Sequence, residues 1–132
     1  MVVDSSAIVA ILLSEADADF FEEKIASAAV LAISAPTFLE CSMVMAGRKV
    51  AAAKGSVGEL VARSGMRVVA FDEDLAESAF RAFQVFGKRR HKANLNFGDC
   101  MSYATAKALA LPLLCKGEDF AQTDLPIVSP PA

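Results

Sequence analysis

At 132 residues the chain is the size of one ordinary domain, and 55% hydrophobic content with a formal net charge of −3 excludes a disordered tail and a general nucleic-acid coat. Cys41, Cys100 and Cys115 are odd in number and lack a Cys-x-x-Cys spacing, so they are expected to be reduced and packed among apolar neighbours. The start of the sequence carries no basic stretch or small-residue cleavage site, and no apolar run approaches the ~20 residues that cross a bilayer. The expectation is a soluble, cytoplasmic protein without membrane contact.

In chain order, Met1 to Val3 is a short apolar run stopped by Asp4-Ser5-Ser6, which fits a buried strand feeding a helix cap. Ala7 to Leu13 and Ala16 to Ala29 read as helices. The first is almost wholly apolar, and the second has Phe20, Phe21, Ile25 and Ala28 near one face. Val30 to Ala35 is a β-branched run ended by Pro36, whose missing N–H suits the first turn of a helix. Glu40 then falls about one turn into that helix among Phe38, Leu39, Met43, Val44 and Met45, so the helix is expected to be mostly buried.

Gly47, Gly55 and Gly58 interrupt the pattern before a short helix, Val57 to Arg63. Met66 to Phe71 is the third strand, and Asp72 caps a helix from Glu73 to Phe86. Gly87 to Gly98 has the composition of an exposed loop. Asp99 opens a helix of small residues to Leu109, with Tyr103 one turn on. Leu111 to Cys115 is a strand, Lys116 to Asp119 a turn, and Ile127-Val128 a brief last strand. The alternation predicts one α/β domain over residues 1–132 with a mainly parallel central sheet.

Four acids, Asp4, Glu40, Asp99 and Asp119, stand where a strand gives way to a loop or helix. Strand carboxyl ends are where open α/β sheets bind ligands. Carboxylates are the hard oxygen ligands that Mg²⁺ and Mn²⁺ prefer, and gathered like charges call for a cation. Each acid also has an ordinary alternative as helix cap or solvated charge. At the last position Asp119 competes with nearby Glu118 and Asp124. Such a cluster suits phosphodiester hydrolysis without a side-chain nucleophile, and the single His91 has no Gly-x-Ser-x-Gly elbow to serve. Lys88, Arg89, Arg90, His91 and Lys92 form the only dense basic run, which is either a solvated loop or a local phosphate-binding rim.

Taken together, Val2-Val3-Asp4-Ser5-Ser6-Ala7, Pro36-Thr37-Phe38-Leu39-Glu40, Asn96-Phe97-Gly98-Asp99-Cys100 with Tyr103-Ala104, and Leu113-Leu114-Cys115-Lys116-Gly117-Glu118-Asp119-Phe120 resemble a PIN-domain ribonuclease of the VapC toxin type. The likeness runs through essentially the whole chain in the family's order. It implies a three-layer α/β/α PIN-like domain and a Mg²⁺- or Mn²⁺-dependent endoribonuclease. It also implies inhibition by a VapB-like antitoxin and a homodimer.

By the same resemblance Asp4 and Asp99 bind the first ion, Glu40 positions it or activates water, and Asp119 completes the shell. Ser6, near Asp4, orients a ligand or a bound water, or caps the helix, and Lys88 to Lys92 draw in the RNA backbone. Many PIN domains carry an acid or Asn where this chain has Gly117, which leaves the fourth ligand to Asp119 or water. Apolar helices around Ala7 to Leu13 or Phe20 to Ala28 offer surface for a partner or an antitoxin segment, or are buried in the core. A receiver domain fits poorly because Asp4 lacks an adjacent acid, and a haloacid-dehalogenase-like phosphatase would need Asp where Ser6 stands. The remaining rival is a catalytically weak PIN-like module that binds RNA or a partner.

Overall fold

In the three inner strands, neighbouring residues project to opposite faces of the sheet and so feed two separate cores. The computed structural model describes residues 1–48 and 55–132. The strands are β1 (Val2–Val3), β2 (Ala32–Ser34), β3 (Arg67–Val69), β4 (Leu113–Leu114) and β5 (Ile127–Val128). Val3, Ile33 and Leu114 join one cluster with Ile8, Ile11, Phe21 and Leu60. Val2, Ala32 and Leu113 join the other with Leu75, Ala79 and Ala104. The first cluster is covered by α1 (Ser5–Leu12), α2 (Ala18–Ser27), α3 (Ala35–Gly47) and α4 (Val57–Arg63), the second by α5 (Glu73–Phe86) and α6 (Phe97–Leu109). The result is the expected three-layer α/β/α domain.

All strand pairings are parallel and the order is β3-β2-β1-β4-β5. The chain winds from β1 out to β3, then returns across the sheet to β4. Right-handed crossovers place the helices of the return on the opposite face. β1 and β4 are therefore neighbours whose connections leave in opposite directions, the topological switch point at which open α/β sheets bind ligands. Asp4 follows β1 there, and the turn carrying Asp119 follows β4.

Local chemistry sets the helix starts. Ser34 caps α3 by accepting from the Thr37 amide, with Pro36 in the first turn, and Asp72 caps α5 by accepting from the Leu75 amide. α6 begins earlier than the sequence suggests. Asn96 is its cap, and Asp99 is the third helical residue rather than the first. The stretch between Gly47 and Gly55, to which no element was assigned, lies mostly outside the described residues.

One burial alternative is decided and one burial expectation is corrected. α1 is consumed by the core, with Ala7, Ile8, Ala10, Ile11 and Leu12 all at 0% exposure, so it offers no spare apolar face. α3 buries only Thr37 and Cys41 and leaves Leu39 and Met43 exposed. Phe97 on α6 and Phe80 on α5 are exposed as well. The cysteines are free and buried, as expected. Among the described residues no helix is long and apolar enough to cross a membrane.

Candidate active site

Asp4 ends β1 and caps α1. Its Oδ2 accepts from the Ser6 amide at 3.1 Å and from Ser6 Oγ at 2.6 Å, and its Oδ1 accepts from Ser102 Oγ at 2.7 Å. The residue is 4% exposed, yet among the described residues no lysine or arginine pairs with it. Ser6 Oγ also accepts from the Lys116 amide at 3.0 Å, which ties the end of β1 to the turn after β4. Ser6 Oγ donates to Asp4, and the side-chain cap of α1 is Asp4 itself.

Asp99 is held by a reciprocal pair of hydrogen bonds. Asp99 Oδ2 accepts from the Asn96 amide and Asn96 Oδ1 accepts from the Asp99 amide, each at 2.9 Å. Burial pushes its carboxyl up to about 6, the Asn96 amide opposes this, and the negative charges of Asp4, Asp119 and Glu40 add to the rise. All four predicted acids therefore share one electrostatic environment. Burial with the charges of Asp4 and Glu40 also raises the Cys41 thiol to about 12, and burial with Asp4 and Asp99 raises Cys115 to about 12. These thiols stay protonated packing groups rather than soft metal ligands.

Glu40 lies on α3 against the first turn of α6. A Cβ at position 98 would collide with its carboxylate, so Gly98 is what permits this approach. Asp119 is exposed at the start of a 3-10 turn (Phe120–Gln122) and makes no side-chain cap. Asp124 is occupied elsewhere: it accepts from Tyr103 at 2.5 Å and from Lys107 at 2.8 Å, and these bonds hold its carboxyl below the usual range. Of the three acids near the chain end, Asp119 is the one whose charge reaches Asp99.

The donor set is all oxygen and net negative, which fits a hard divalent cation. Among the described residues no three metal-binding side chains stand close enough to close a shell without movement. The side chains with room to move are Asp119, exposed, and Glu40, half-buried. Asp4 is the fixed partner, locked by three hydrogen bonds.

The basic run sits in the loop that feeds α6. Gly87 and Leu95 bridge its ends, with Lys88 N–H donating to Leu95 and Leu95 N–H to Phe86. Lys88, Arg89, Arg90 and Lys92 are exposed, and Arg90 lies over the Phe83 ring at 5.1 Å. His91 is more constrained than expected. Its Nδ1 accepts from the Ala93 amide at 3.0 Å and its ring meets Phe86 edge-on at 5.1 Å, which leaves only Nε2 for solvent or RNA. The sequence reading missed Ser102, Thr37 and Ser34, buried hydroxyls behind Asp4. The only trace of them was an apolar helix start interrupted by small polar residues.

Asp4 at the end of β1, Glu40 within α3, Asp99 in the first turn of α6 and Asp119 after β4 form a candidate carboxylate site on an α/β/α scaffold. Residues 1–125 match the PIN domain family, and the chain belongs to that family. Within it the chain resembles the Ribonuclease VapC of Mycolicibacterium smegmatis, 41% identical over 128 residues that cover 97% of this chain and 99% of the relative. Among solved structures, Mycobacterium tuberculosis VapC20, described as a sarcin-ricin loop cleaving toxin, superposes with a TM-score of 0.76 at 20% identity, covering 98% of each chain. A toxin–antitoxin complex from Klebsiella pneumoniae gives 0.69 at 22% identity, covering 96% of this chain and 94% of that one. At these identities the structural matches speak for the fold. VapC ribonucleases with PIN domains are nucleases of the kind that use divalent metals.

Proposed function

We propose that Asp4, Glu40, Asp99 and Asp119 hold Mg²⁺ or Mn²⁺, and that the basic loop Lys88 to Lys92 receives the RNA backbone. The chain is an endoribonuclease, the toxin of a VapBC-type pair, and it hydrolyses RNA phosphodiester bonds. The observation that carries the site reading is geometric: Ser102, three residues after Asp99 on α6, donates to Asp4, and the Glu40 carboxylate packs on Gly98, next to Asp99. A divalent cation held there supplies a Lewis acid for the phosphate and a lowered pKa for water.

The protein's own groups divide the remaining work. Asp4, fixed by Ser6 and Ser102, and Asp99, fixed by Asn96, are the rigid ligands. Glu40 would orient the attacking water or take its proton, and Asp119 would complete the shell. A focused basic rim reconciles a net charge of −3 with an anionic substrate. A VapB-like antitoxin is the partner that restrains the toxin, in keeping with the toxin–antitoxin complex among the structural neighbours.

The test is cleavage of a mixed cellular RNA pool with Mg²⁺ or Mn²⁺, with EDTA and Asp99→Asn as controls. Discrete products absent from both controls are expected. A folded protein that binds Mn²⁺ and leaves the pool intact would instead point to a PIN-like RNA- or partner-binding module.

A further inference from the structure

We infer that Ser34, Thr37 and Ser102 form a one-way hydroxyl relay that positions Asp4 and locks the three acid-bearing elements together. This rests on the proposed metal site and adds three positioning residues to it. Ser34 Oγ donates to Thr37 Oγ1 at 2.7 Å and accepts from the Thr37 amide at 3.1 Å. Ser102 Oγ donates to Asp4 Oδ1 at 2.7 Å, and Thr37 Oγ1 lies 3.4 Å from Ser102 Oγ. Each hydroxyl has one hydrogen. Ser102 gives its hydrogen to the carboxylate and Ser34 gives its own to Thr37. The Thr37 hydrogen is the only one left for the last contact, so that contact runs from Thr37 to Ser102. Every donor in the chain points toward Asp4.

The placement is as informative as the polarity. Ser34 ends β2, Thr37 lies three residues before Glu40 on α3, and Ser102 lies three residues after Asp99 on α6. The relay thus joins the helices that carry Glu40 and Asp99 to the carboxylate at the end of β1. Its hydroxyls are buried, at 0%, 4% and 1% exposure, where a hydrogen bond is strong and a broken one leaves a dry polar group. Asp4 Oδ2 already receives two donors from Ser6, whereas Oδ1 receives Ser102 alone. A carboxylate oxygen accepts about two hydrogen bonds, so the relay fixes the oxygen that keeps a lone pair for a cation.

Removing a partner that orients a ligand typically lowers metal affinity about 10- to 100-fold. The experiment is Mn²⁺ titration of the purified protein without RNA, read by calorimetry and by the electron paramagnetic resonance of free Mn²⁺. Parent, Ser102→Ala, Ser102→Thr, Thr37→Val and Asp4→Asn are compared, with circular dichroism to check the fold. Expected are near-complete loss in Asp4→Asn, about tenfold weaker binding in Ser102→Ala, recovery in Ser102→Thr, and a smaller loss in Thr37→Val. Should Ser102→Ala not fold, the Thr37→Val arm decides by the same criterion.

Parent-like Mn²⁺ affinity in folded Ser102→Ala or, if that variant does not fold, in Thr37→Val overturns the relay while leaving the metal site standing. Parent-like affinity in Asp4→Asn, or no binding by the parent, overturns the metal site and the relay with it. Equal losses in Ser102→Ala and Ser102→Thr would show that packing, not the hydroxyl, matters, and would also overturn the relay.

Discussion

Glu40 and Gly98 are matched across the α3–α6 contact: the Glu40 carboxylate occupies the space that any side chain at position 98 would need. Gly98 does not have a positive φ, so its backbone tolerates alanine, which is the better helix former by about 1 kcal/mol. The atoms in the way are the far end of a side chain that can turn aside.

Gly98→Ala is therefore expected to keep the fold, with stability changed by less than about 1 kcal/mol, while displacing Glu40 from the site. RNA cleavage should fall on the order of tenfold, as for the loss of one positioned acid–base group. Thermal denaturation and single-turnover cleavage check the two halves of this claim. Unchanged turnover in Gly98→Ala would remove Glu40 from the reaction.

The raised carboxyl of Asp99 has a definite pH signature. Its folded value of about 6 lies above the ordinary 3.8, so between these values the folded state holds the proton more tightly than the unfolded chain. Its contribution favours folding at low pH and fades as pH rises from about 4 through about 6. The full difference would correspond to roughly 3 kcal/mol, and partial solvent screening reduces it to on the order of 1 kcal/mol. Without divalent cations, Asp99→Asn should melt a few degrees above the parent at neutral pH, and this advantage should shrink toward pH 4. Mn²⁺ binding by the parent should weaken as pH falls through about 6, because the cation must then displace the Asp99 proton. A neutral-pH melting point equal to or below the parent's would contradict this assignment.

What the sequence made legible was local. Asp72 as the α5 cap, Ile127-Val128 as a strand and Asp4 after a two-valine strand each depend on neighbours a few residues away, and all three stand in the structure. The Asn96–Asp99 box was also local, an Asn three residues before an acid, and reading Asp99 as the helix start hid it. Ser102 was invisible for a different reason. Its partners Asp4 and Thr37 lie 98 and 65 residues away, and a serine in a helix gives no sign of which distant group it will meet. α3 misled because apolar content alone does not say that a helix is covered; Leu39 and Met43 are apolar and remain in solvent. The choice among Glu118, Asp119 and Asp124 likewise waited on tertiary structure, in which Tyr103 and Lys107 claim Asp124.

Arg90 is the member of the basic loop whose position is braced, by the Phe83 ring beneath it. A braced guanidinium loses little side-chain freedom when it meets a phosphate. Arg90→Ala should weaken binding to RNA of any sequence and reduce the slope of log affinity against log salt by about 1. Lys92→Ala, at an exposed position, should do the same to a lesser degree. Binding isotherms on a cleavage-inactive Asp99→Asn background, taken over a range of salt, provide the measurement. An unchanged salt slope in both variants would mean that the loop does not meet the backbone.

Lys116 links the Asp119 turn to the segment between α1 and α2. Its ammonium meets Glu15 at 2.5 Å and Asp17 at 3.1 Å, while its amide serves Ser6 Oγ at 3.0 Å. Hydrogen bonds to the two carboxylates raise the lysine pKa above its ordinary value, so the charge is present throughout the working pH range. The ammonium is well exposed to water, and exposed ion pairs contribute less than about 1 kcal/mol and are screened by salt. Lys116→Gln removes the charge and keeps the amide that supports Ser6. It should therefore lower the melting temperature by a few degrees at low salt, with the difference closing at high salt, and leave Mn²⁺ affinity near the parent's. A salt-independent loss would assign Lys116 a packing role, and a large fall in Mn²⁺ affinity would show that the ammonium, rather than the backbone, holds the Ser6–Asp4 pair in place.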